Sequence, residues 1–216
     1  YDKSFYDYRK LNYQRSTRLE KTFIPTDETK QIFSKINQPL KWIVITETWC
    51  GDSAQNLPVI AKLVQLNDNI DLKIVLRDSN LEFMDLHLTN GSRAIPKLIV
   101  YDENDNELFQ WGPRPVEAQN LFSLLKNAGM PKSDINKDLH LWYGRNRGKE
   151  VEKEIDYIRK SNKTFEESDE ILDRNFVIDA EVILAEKNGE KIAESKPEKM
   201  QIDLTADGLA KEIIEN

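Results

Sequence analysis

The chain has 216 residues, 39% of them hydrophobic and 32% charged, with a formal net charge of −7. That balance fits one sizeable core, or a core plus a small appendage, and it disfavours wholesale attraction to phosphate backbones or anionic lipid, so neither nucleic acid nor a membrane is an expected partner. A single cysteine, Cys50, rules out an internal disulfide framework, and no run approaches the roughly 18 apolar residues that raise a membrane span.

Residues 1 to 22 are polar and aromatic without Gly or Pro and read as an N-terminal helix. Arg9, Lys10, Arg15, Arg18 and Lys21 alternate there with Tyr6, Tyr8 and Tyr13, and a solvated helical face is the reading preferred over an RNA platform. Pro25-Thr26-Asp27-Glu28 offers a helix start, with Ile32, Phe33 and Ile36 at helical spacing behind it. The run Trp42-Ile43-Val44-Ile45 suits a strand buried on both faces, and Cys50 falls just beyond its end. Leu57, Ile60, Ala61 and Val64 then mark a helix, in which Pro58 belongs to the first turns or makes a kink.

A second strand follows over residues 70–76, then a short helix carrying Leu81, Met84 and Leu88, with His87 on it. After the loop Asn90-Gly91-Ser92-Arg93 come Ile95-Pro96 and the strand Leu98-Ile99-Val100-Tyr101. A turn at residues 102–106 and the return strand 107–111 complete a hairpin. Val116, Leu121, Leu124 and Leu125 give a closing helix that Gly129 and Pro131 end. The sum is an α/β chain: one crossover half, then a hairpin and a helix, giving a mixed central sheet with helices on both faces.

Trp49-Cys50-Gly51 between a buried strand and a helix, Ile95-Pro96 just before the hairpin, this order of elements, and Leu141-Trp142-Tyr143 downstream together resemble the thioredoxin superfamily. The closer resemblance is to its bacterial thioredoxin-like branch with a W-C-G-D motif. It covers residues 22 to 130 by fold and 1 to 158 by that branch, and implies a thioredoxin-like fold. By the resemblance, Cys50 falls on the attacking cysteine, Ser53 on the position of the resolving cysteine, and Pro96 on the proline that is cis and faces the cysteine. Val44 stands where thioredoxins place a buried aspartate, Asp52 replaces the usual proline, and the second cysteine is gone, so a dithiol cycle is not available.

The chemistry expected of Cys50 is thiol–disulfide exchange with an outside thiol, glutathione or a protein cysteine, as resolver. A helix N-terminus favours a thiolate. Asp52, in the same turn, is expected to compete for the same N–H donors and to repel that thiolate. Arg77, closing the second strand, either offsets this as a nearby cation or simply pairs with Asp78 or Glu82. The Ser53 hydroxyl either bonds the sulfur or merely starts the helix. Ile95 would present its backbone to an extended partner, Trp49 would form an apolar rim beside Gly51, and Glu47 would relay protons or make a structural pair.

The rival reading is a binding or scaffold module in which Cys50 is idle or only senses oxidants. His87 and His140 show no metal-ligand spacing, and neither a metal nor a cofactor is expected. A free thiol and the lack of a visible signal sequence fit the cytoplasm.

Residues 145 to 163 are highly charged and read as a solvated helix or linker. The expected division is a thioredoxin-like domain over 1–160 and a C-terminal extension over 161–216. That extension reads as β-rich, with Asn188-Gly189 as a hairpin turn, or as one long helix from Glu166 to Lys187.

Overall fold

The computed structural model describes the chain from Lys3 to Ser161. Both readings of the extension, β-rich or one long helix from Glu166, lie outside the described residues.

Among the described residues seven α-helices and four strands follow in chain order: α1 Lys3–Thr22, α2 Asp27–Ser34, β1 Leu40–Thr46, α3 Gly51–Val64, β2 Ile70–Leu76, a 3-10 turn at Arg77–Ser79, α4 Leu81–Asp85, β3 Lys97–Tyr101, β4 Glu107–Trp111, α5 Val116–Asn127, α6 Lys132–Asn146 and α7 Lys149–Ser161. The sheet order is β2-β1-β3-β4. β1 runs parallel to β2 and antiparallel to β3, and β3 and β4 form the hairpin. This is the mixed sheet that the sequence pattern predicts. Alternation along β1 divides the core. Trp42 packs against Phe33 of α2 and Phe109 of β4, at ring-centre distances of 6.0 and 6.2 Å. On the opposite face Ile45 joins Ile99, Met84, Ile95 and Cys50 in a buried cluster. Cys50 is therefore anchored in the core at the end of β1.

Pro58 lies in the interior of α3, where it has no N–H to give the carbonyl of Ala54. Ser16 of α1 supplies the replacement, its hydroxyl donating to Ala54 O at 3.1 Å. Arg18 reaches Gln55 Oε1 at 3.3 Å, Arg9 donates to Thr48 Oγ1 at 2.7 Å and Asn12 to Thr48 O at 3.2 Å. The basic stretch is mostly a solvated face, with Arg9, Lys10, Arg18 and Lys21 exposed and Arg15 half-buried, but the same helix has a second, docked side. Tyr6 and Tyr13 are exposed, but α1 docks along α3 because its polar side chains serve backbone and amide groups that α3 and the preceding loop leave open.

One reading is corrected by α7, which is not solvated. Val151, Ile155 and Ile158 follow one another at four and three residues and are all buried, a helical stripe hidden among charges. Glu152, Glu154 and Asp156 are buried as well. Glu152 Oε1 accepts from Thr26 N at 2.6 Å, at the start of α2. Glu154 accepts from Trp111 Nε1 and from Val116 N, the first residue of α5, both at 2.7 Å. The oxygens of each acid satisfy helix-start donors that would otherwise be orphaned. Ile155→Val is expected to cost about 1 kcal/mol in chemical denaturation; no loss would mean that α7 is not part of the core.

Helix α6, which sequence patterning did not single out, carries Ile135, Leu139 and Tyr143 on one buried stripe. α4 stops at Asp85, so His87 lies beyond it rather than on it. His87 is buried and pairs with Gln110 at 3.1 Å and Tyr101 at 3.3 Å.

Candidate functional site

Cys50 is the N-cap of α3, with extended backbone, and its Sγ accepts from Ser53 N at 3.4 Å. Its thiol donates to Ile95 O at 3.2 Å. The Ile95–Pro96 peptide bond is cis, as is Gly112–Pro113. Gly112 has a φ of +112°, and a Cβ there would collide with the Pro96 carbonyl oxygen, so this position needs glycine for two reasons. The strand end, the helix start and the loop before β3 thus meet at one sulfur.

That sulfur is nearly covered, with Cys50 only 7% exposed. Burial pushes its thiol above the ordinary value, and the Asp52 charge pushes the same way, against the Ser53 hydroxyl and the first-turn N–H groups, which favour the thiolate. At neutral pH the resting group is a protonated thiol bonded to Ile95. The buried Ser53 hydroxyl makes no hydrogen bond of good geometry, so its help to the sulfur is electrostatic.

Asp52 does not compete for the helix-start N–H groups as expected. Its carboxylate turns to Arg114, at 2.8 Å from NH2, and to the Tyr143 hydroxyl, which donates at 2.9 Å. Asn56 supports this arrangement, donating to Tyr143 Oη at 3.3 Å and to Pro113 O at 3.1 Å. Burial pushes the Asp52 carboxyl up, against Arg114 and the Tyr143 hydroxyl, which favour its ionised form. Burial likewise raises the Tyr143 phenol well above its usual range, leaving it a firm donor.

Arg77 takes the ordinary option. It pairs with Asp78 at 2.7 Å, lies over the Trp49 ring at 4.7 Å and donates to Arg93 O. Trp49 is more than an apolar rim, since its Nε1 donates to Asp78 at 3.2 Å. Glu47 is structural, its Oε1 accepting from Asp78 N at 2.9 Å. A cleft of about 420 Å³ opens here, and Trp49, Cys50, Gly51, Asp52, Arg77 and Ile95 all line it. Pro96 is buried beneath.

Tyr8 and His140 also line the cleft, and a Cβ on Gly51 would come within 2.9 Å of the His140 ring and closer still to Tyr8 Oη. Burial and Arg15 lower His140 to about 4, so its ring is neutral at physiological pH. Sequence reasoning missed Arg114, Asn56, Tyr8 and His140. Arg114 sits between two prolines in what reads as a turn, and His140 stands on a helix of weak pattern. Among the described residues no three His, Cys, Asp or Glu side chains gather as a metal site, and no helix is long and apolar enough to cross a membrane.

A thioredoxin family model matches residues 1–128, more than half of the chain. The chain belongs to the thioredoxin family. No curated protein matches it. Among solved structures, this thioredoxin-like chain is similar to a protein of unknown function from Pseudomonas aeruginosa, with 20% identity over 73% of this chain and 86% of the other and a TM-score of 0.51. It is also similar to an HIV epitope-scaffold protein, at 21% identity over 72% of this chain and 91% of the other, again with a TM-score of 0.51. At those identities the likeness speaks for the fold alone.

Proposed function

We propose that this thioredoxin-like protein performs monothiol–disulfide exchange through Cys50, and that within the family it belongs with the bacterial proteins bearing W-C-G-D. The supporting observation is the placement of Cys50 Sγ, which faces Ile95 O across the cis-proline loop in an open cleft at the start of α3. An extended partner chain that takes up the Ile95 carbonyl releases the thiol from its resting hydrogen bond, and loss of its proton to solvent gives the thiolate. The thiolate attacks one partner sulfur. A Cys50–partner disulfide forms, the partner's S–S bond breaks, and its other sulfur leaves as a thiolate. An outside thiolate, from a protein cysteine or a glutathione-like small thiol, then attacks the partner sulfur and expels Cys50 as thiolate, which is reprotonated. The protein returns unchanged, and the outside thiol supplies the electrons.

A second reading rests on the burial and raised ionisation of the thiol. In it, the cleft beside Pro96 binds a peptide and Cys50 is idle or responds only to oxidants.

Partner trapping separates the two. Exchange predicts mixed disulfides that disappear in Cys50→Ser and are long-lived because Ser53 cannot resolve them. Ser53→Cys is expected to shorten their lifetime by at least about tenfold, since it adds an intramolecular attacking thiol of high effective concentration. Partners retained unchanged in Cys50→Ser would favour the binding module.

A further inference from the structure

We propose that β2 is a self-association edge, through which two copies of this chain join their sheets antiparallel about a dyad at Ile74. β2 ends the sheet among the described residues, seven residues long and unpaired on its outer side. A bare edge of this length is a template for another strand. Its outer face is also apolar: Ile74 is 48% and Leu76 44% exposed, and Leu72 is half-buried between them and the protected Ile70.

The backbone phase and the charges choose the partner and the register. Leu40 N donates to Asn69 O at 2.8 Å in a ladder that pairs Leu40 with Ile70. In a parallel ladder this turns the backbone of Asp71, Lys73 and Val75 toward β1, and leaves the N–H and C=O of Leu72, Ile74 and Leu76 pointing outward. A second β2 can pair only where outward residues meet outward residues. Centring on Lys73 sets Lys73 against its own copy, and centring on Val75 sets Lys73 against Arg77 of the other copy; like charges directly opposite are unfavourable. Centring on Leu72 requires the Ile70 N–H, which already donates to Asn67 O.

Centring on Ile74 needs only N–H groups that nothing else takes among the described residues, and the Leu76 carbonyl, which accepts from Asn80 Nδ2 at 2.8 Å, keeps a second lone pair for the ladder. Ile74 meets Ile74 and Leu72 meets Leu76 twice, each pair exchanging two backbone hydrogen bonds. On the reverse face Lys73 comes opposite Val75 twice, and Asp71 comes opposite Arg77 at the strand end, where Arg77 already pairs with Asp78, so no like charges meet. The match of phase, apolar face and charge to its own inverse is the argument for a second copy of this chain.

The test uses the full chain in a Cys50→Ser background, with sedimentation velocity and mild oxidation. The wild-type edge is expected to give a concentration-dependent dimer. Ile74→Lys, at an exposed site with the fold checked by circular dichroism, is expected to weaken it by at least about tenfold, because it opposes two like charges at the dyad. Ile74→Cys is expected to cross-link between copies, and Leu72→Cys to stay uncross-linked, since directly opposed positions alone lie within disulfide reach. Three outcomes would overturn the proposal: a monomer at every concentration, a cross-link at position 72 and not 74, or a full chain that is monomeric and dimerises only when cut after Ser161, which would make its own C-terminal segment the occupant of the edge.

Discussion

Asp52→Asn is expected to speed alkylation of Cys50 at neutral pH by about tenfold, the change in thiolate fraction that one pKa unit produces below the midpoint. Cys50 is held above its ordinary value first by burial and then by the Asp52 charge. Asparagine keeps the size of the side chain and an oxygen for the Tyr143 hydroxyl, so the packing around Asn56 and Tyr143 stays. It removes the negative charge and leaves Arg114, still held by Gln119 and the Phe122 ring, as a nearby cation without a carboxylate partner. Both changes favour the thiolate, so the sign does not depend on how they divide. The check is the rate against pH in the native protein. An unchanged midpoint would mean that the sulfur does not sense the carboxylate, and that burial alone sets its reactivity.

The second large effect is on stability. Between pH 6.5 and 8 the protein is expected to lose about 2 kcal/mol of folding stability, roughly 1.4 kcal/mol per unit from one group. The group is Glu154, 1% exposed, which burial raises from an ordinary 4.5 to about 8. The folded state keeps a proton that the unfolded chain has released, so the contribution is fully present below 4.5 and is lost as pH rises through 8. Asp156, raised to about 6, acts with the same sign at lower pH. His140 has the opposite sign: it is lowered to about 4, so the unfolded chain binds the extra proton between 4 and 6.5 and stability there rises with pH. Asp52, also raised by burial, acts with the same sign as Glu154, so the Glu154 share is read from its own variant. Glu154→Gln is expected to remove most of the slope while lowering stability at pH 6.5, because the amide offers one oxygen to the two donors Trp111 Nε1 and Val116 N where the acid offers two. Denaturation midpoints measured across this range decide it; a slope that survives in Glu154→Gln would assign it elsewhere.

Much of the fold was legible because its signals are local. The apolar runs at Trp42 and Leu98, the alternation over 70–76 and the turn at 102–106 place all four strands, and Cys50 and Ile95-Pro96 fall at junctions that such elements imply. What was not legible depends on contacts distant in sequence. The acids of α7 look solvated because a charged side chain usually is, and only the fold shows that Glu152 and Glu154 cap α2 and α5. Asp52 looks like a competitor for Cys50's donors until α6 and the Gly112-Pro113-Arg114 turn bring Tyr143 and Arg114 to it. The polar groups of α1 look like a wet surface until Pro58 leaves Ala54 O for Ser16 to take. In each case the missing information is which buried polar group needs a partner, and a one-dimensional pattern of apolar residues does not carry it.

The most direct test of the Cys50 reading is a full cycle on the native full chain, followed by mass spectrometry: exposure to oxidised glutathione as the probe disulfide, removal of the excess, then addition of reduced glutathione. Exchange predicts a single adduct on Cys50 in the folded protein, formed faster as pH rises and faster still in Asp52→Asn, then released by the added thiol with the protein recovered unchanged. An adduct that appears only after denaturation would contradict it, and would leave the cleft beside Pro96 as a binding site with a silent thiol at its floor.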